Sequence, residues 1–86
     1  MRKINLYRKQ IDKIDKEIIK LLGKRYLVVK KIWEEKKRVG LPALDKKRFF
    51  QVLGTRMRWA KLIGVDEVLV KNIFKLIHKQ SLKIEK

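Results

Sequence analysis

Apolar residues recur every three or four positions along this chain, and no stretch alternates convincingly with period two. That spacing predicts helices throughout and an all-α fold. The first helical run extends from about Asn5 to Arg38 without a proline. Gly23 is its one weak point, costing about 1 kcal/mol against alanine in a helix interior. The segment RVGLPALD, residues 38–45, then supplies a stop. Gly40 suits the left-handed position that follows a helix, and Pro42 cannot extend one. Asp45 can cap a second helix over Lys46 to Ile63, closed by Gly64, and Asp66 can cap a third over Glu67 to Ile84.

These lengths are unequal, and the inequality has a consequence. About 34 residues rising 1.5 Å each make a first helix about 50 Å long, whereas the other two reach about 28 Å. A helix that long cannot bury its whole apolar stripe inside a compact monomer of 86 residues. A second copy can cover it, so the pattern predicts one helical domain over residues 1–86, entwined with another as a homodimer of three-helix protomers.

The stripe itself is interrupted. Steps of four and three residues from Ile4 select Ile11, Ile18, Leu22, Val29 and Ile32, but also Arg8, Asp15, Arg25 and Lys36. An amphipathic helix ordinarily keeps charge off this face, and a buried cation is costly unless something anionic meets it. Cations at the edge of a stripe can snorkel to water, or one can pair with Asp15. Asp15 neutralises only one of three, however. The remaining excess points to an internal anionic site whose ligand carries more than one negative group, since arginine holds carboxylates bidentately and lysine acts as a point charge.

Net charge alone separates little. Lys+Arg number 25 against 9 Asp+Glu, a formal +16. A solvated lysine-rich surface accounts for this, as in thermophiles, and the two Asn and three Gln fit that reading. Charge alone favours that reading, and a small anionic substrate or a nucleic acid is also compatible with it. A basic nucleic-acid binder would want its cations exposed along one face with aromatics to stack, but the cations on this seam point inward. With no cysteine, disulfides and thiolate metal sites are excluded. No apolar run reaches the roughly 18 residues of a membrane span, and MRKINLYRKQ lacks the apolar core of a signal peptide. A soluble cytoplasmic protein is expected.

The other helices add polar candidates. Asp45 and Arg48 open the second helix, where the N-terminus also favours anions, although Asp45 serves at least as a cap. Ser81 and Glu85 lie four apart on one face of the third helix, beside Ile77 and Ile84. His78 is the sole histidine, and a lone histidine on a helix is ordinarily surface or packing. There is no HExxH, P-loop or GxGxxG motif, so neither metal nor nucleotide cofactor is expected.

The order RKQIDKIDKEIIKLLGKR, a lysine eleven residues after Arg25, LPALDKKR and NIFKLIHKQSLKIE resembles the small dimeric all-helical chorismate mutases over nearly the whole chain. The resemblance implies conversion of chorismate to prephenate in phenylalanine and tyrosine biosynthesis, without a cofactor. It implies that Arg8, reaching in from the partner subunit, and Arg25 hold the two substrate carboxylates. Arg48 would assist at a carboxylate and Ser81 would hydrogen-bond one. Lys36 and Glu85 would serve the ether oxygen of the breaking bond, with Asp45 near the substrate hydroxyl.

Two positions depart from the family pattern. Phe49 stands where a glutamate usually accepts from the substrate hydroxyl, and Glu85 where glutamine is common. A carboxylate donates only when protonated, so Glu85 must carry its proton to act on the ether oxygen. Phe49 brings in a second activity of the same fold. Isochorismate-pyruvate lyases resemble the chain at LGKRYLVVK and RMRWAKLIGVD, and they tolerate an apolar residue there. A regulatory domain without activity is a further alternative, against which stand Arg8, Arg25, Lys36 and Arg48.

Overall fold

The computed structural model describes residues 1–85 and contains three helices, α1 (Arg2–Val39), α2 (Lys46–Leu62) and α3 (Glu67–Ile84), with no strand among the described residues. The class and the order of elements are those expected. α3 has the predicted bounds, because Asp66 marks its start clearly: the carboxylate accepts from Val68 N–H at 2.8 Å and Leu69 N–H at 3.1 Å. α1 begins three residues before Asn5. Its first turn has neither a capping side chain nor an acidic residue, so nothing local in the sequence marks the start.

The other end of α1 is well specified. Lys36, Lys37 and Arg38 in its last turn complement the helix dipole. Gly40 then turns left-handed at φ 77°, Leu41 N–H donates to the Lys36 carbonyl at 2.8 Å, and Gly40 N–H donates to that of Lys37 at 3.3 Å. This is the double closure of a Schellman motif. It recurs after α2 at Gly64, φ 76°, where Val65 N–H reaches the Ala60 carbonyl at 2.9 Å. α2 therefore stops at Leu62, one residue before the expected bound.

α2 packs along α3, and α3 in turn meets α1. The buried apolar residues are few: Val29, Val52, Leu53 and Ala60. All of them lie at or after the middle of α1, and every residue before Arg25 is exposed. Ile11 and Ile18 keep 55% and 51% of their surface in water. The chain measures 57 × 24 × 16 Å, its long dimension equal to the span of α1 at about 1.5 Å per residue. Half of the longest helix is thus an apolar stripe with no counterpart in its own chain. No helix among the described residues is long and apolar enough to cross a membrane.

Candidate active site

Arg25 and Lys36 stand eleven residues apart on α1, about three turns, and so share a face. Both are only half-buried, and both look towards the C-terminal end of α3. Arg25 Nη1 donates to Ser81 Oγ at 3.4 Å, and Ser81 Oγ donates back to the Ile77 carbonyl at 3.0 Å. Lys36 Nζ donates to Glu85 Oε2 at 3.2 Å and to the Ala43 carbonyl at 2.7 Å. The second bond exists because the Gly40 turn folds residues 41–45 back along the end of α1. Glu85 is 8% exposed and the only buried charged residue among those described.

These groups surround a cavity of about 330 Å³ between the three helices. Its wall includes Arg25 and Lys36 from α1, Asp45 and Arg48 at the start of α2, and Ser81 and Glu85 on α3. Six of the seven candidate residues therefore converge on one space. Arg8 is the exception. It lies on the exposed half of α1 and makes no ion pair among the described residues, nor does Asp15 pair with any cation there. Asp45 does the capping work expected of it, accepting from Arg48 N–H at 3.0 Å. The Arg48 side chain is exposed and donates to Gln51 Oε1 at 2.9 Å.

Two residues matter more here than their sequence positions suggested. His78 lines the cavity rather than the outer surface, its ring stacked on Phe49 with centroids 4.1 Å apart and planes 27° from parallel. A signal was present, since His78 precedes Ser81 by three residues and so shares its helix face. Arg56 sits against Trp59 and Phe74 at 4.6 and 5.8 Å from their rings. Nothing in the local spacing announced that contact.

The electrostatics are those of a cationic hollow. Burial lowers the pKa of Arg25, and repulsion from Arg48 lowers it further. Arg56 is lowered by burial first, then by Arg48 and Arg25. His78 is lowered mainly by burial; Arg25 and Lys36 push the same way, and Glu85 opposes them. The cations are close enough to repel one another, and an anion among them would relieve that repulsion.

Such a set can grip a dianion and place hydrogen-bond donors on an oxygen between its ends. Among the described residues no cluster of histidine, cysteine or carboxylates could hold a metal. Residues 7–86 match the family model described as "Chorismate mutase type II". The chain belongs to this chorismate mutase family. Among its relatives, a chorismate mutase of Methanocaldococcus jannaschii is 30% identical over 79 residues, covering 92% of this chain and 80% of that one. The T-protein of Enterobacter agglomerans is 34% identical over 74 residues, 86% of this chain but 20% of the T-protein. The chain thus corresponds to about a fifth of that larger relative. No solved structure matches the chain significantly.

Proposed function

We propose that this chorismate mutase family chain rearranges chorismate to prephenate, in the biosynthesis of phenylalanine and tyrosine. The supporting observation is the convergence of Arg25, Lys36 and Arg48 on one cavity, with Ser81 and Glu85 completing its wall. The reaction breaks the ether C–O bond as a C–C bond forms within one molecule, so no proton, electron or second substrate is needed. What the protein supplies is restraint of the folded conformer and stabilisation of negative charge growing on the ether oxygen.

Arg25 holds one substrate carboxylate with Ser81 beside it, and Arg48 swings from Gln51 to assist. Lys36 acts on the ether oxygen. An ammonium group has three N–H bonds, and the Ala43 carbonyl and Glu85 take two, leaving one for the substrate. Protonated Glu85 provides the second donor. The substrate hydroxyl lies towards Asp45.

The second carboxylate is held by Arg8 of the partner copy. With Glu85 protonated, the lining cations Arg25, Lys36 and Arg48 outnumber the carboxylate Asp45 by two, and Arg8 adds a fourth cation for the second carboxylate. The open apolar stripe through Ile4, Ile11 and Ile18 supports the homodimer that brings Arg8 there. So does an apolar hollow of about 480 Å³ lined by Leu22, Tyr26 and Leu76 among others.

One observation favours a second activity. Phe49 presents a ring to the cavity where an oxygen would serve the chorismate hydroxyl, as an isochorismate-pyruvate lyase would tolerate. Incubation with chorismate and isochorismate separately, followed by NMR, separates the two. Prephenate from chorismate is expected. Salicylate and pyruvate from isochorismate, without prephenate, would replace the mutase by the lyase.

A further inference from the structure

The cavity wall has many donors and few open acceptors. Arg25, Lys36 and Arg48 can only donate. Asp45 Oδ1 accepts from the start of α2, Glu85 Oε2 accepts from Lys36, and Ser81 Oγ is engaged on both sides, so each carboxylate keeps one oxygen outside these bonds. His78 is wholly unengaged in such bonds. Its ring takes part in no side-chain hydrogen bond among the described residues. No buried polar side-chain atom there lacks a partner either, so the ring nitrogens reach solvent.

Phe49 contributes a second feature. The residue that removes an oxygen from the α2 wall also stacks on the imidazole at 4.1 Å, which fixes the ring's plane. We propose that His78 accepts a hydrogen bond from the ring hydroxyl of chorismate, moving to α3 the acceptor function that Phe49 has displaced from α2. The proposal rests on the mutase reading and names the residue that selects the hydroxyl in that same site.

The surrounding charges suit the role. Arg25 and Lys36 face the ring from α1, Arg48 lines the same cavity from α2, and Glu85 shares α3 with it. Burial first, then Arg25 and Lys36, outweigh the opposing Glu85 and favour the neutral imidazole, with one nitrogen free to accept. The hydroxyl keeps its proton throughout, so the contact binds and selects without entering the bond changes.

The test compares chorismate with its analogue bearing hydrogen in place of the ring hydroxyl. Wild-type protein, His78→Phe and His78→Gln are each assayed for kcat/KM on both. The ratio of the two values is independent of the fraction of protein folded. In His78→Phe, which keeps a ring to stack, the chorismate-to-analogue ratio is expected to fall about tenfold, the worth of one hydrogen bond. His78→Gln, which keeps an acceptor, should recover part of it. An unchanged ratio in His78→Phe would overturn the proposal while leaving the mutase intact. A wild-type protein inert towards chorismate would instead overturn the mutase reading, and the proposal with it.

Discussion

Lys36 has only one N–H bond to spare, and its two partners differ in kind. The Ala43 carbonyl is a fixed acceptor, whereas Glu85 can either accept from Lys36 or, once protonated, donate beside it. Only the protonated form adds a donor at the ether oxygen. Glu85→Gln, whose amide always carries donor N–H bonds, should therefore keep or raise kcat, whereas Glu85→Ala should lower it. A large loss of kcat in Glu85→Gln would remove Glu85 from the role. His78 makes a separate contribution, to stability. Its pKa in the folded protein is lowered, so the unfolded chain takes up the proton first as pH falls below about 6.5. That difference makes the fold less stable on the acid side. Thermal melts at pH 7.5 and 5.5 should show a smaller acid loss in His78→Phe than in the wild type. Chemistry at this scale was only partly legible beforehand. The seam cations Arg25 and Lys36 stood out because they broke a periodic stripe. The stack of His78 on Phe49 did not, because it joins residues 29 positions apart and no local pattern encodes it.

The elements explain why those residues meet. The Gly40 turn ends α1 and returns the chain so that Ala43 faces Lys36 and Asp45 opens α2. At φ 77° a side chain is strained even though open space surrounds the position. Gly40→Ala is expected to destabilise the fold by about 1–2 kcal/mol, measured by urea denaturation. It should lower kcat as well, since the Ala43 carbonyl orients the lysine. An unaffected kcat would mean that the loop does not position Lys36. Helix bounds were read to within one residue wherever a cap or a glycine carried the signal, as at Asp66 and Gly64. They were misread at Arg2, where neither exists.

At the scale of the whole molecule, α1 is half supported. Residues before Arg25 are all exposed, and an apolar stripe of this length stays in water only if nothing covers it. Ile11→Asp separates the two situations. In a monomer, a change at a position already 55% exposed should shift stability by no more than about 0.5 kcal/mol. In the entwined dimer it places a carboxylate in the seam, so sedimentation should show dissociation and circular dichroism a loss of helix. The expectation of a second copy came from helix length alone, whereas any pairing of surfaces lies between chains and is not encoded in any one helix. The most direct measurement joins the scales: Arg8→Ala and Arg25→Ala are assayed singly and after unfolding and refolding together. Each alone should be nearly inactive. Random pairing makes half the dimers mixed, each with one intact site, so about a quarter of wild-type mutase activity should return. No recovery from a confirmed mixture would contradict a site completed by the partner's arginine, and with it the explanation for cations on the seam.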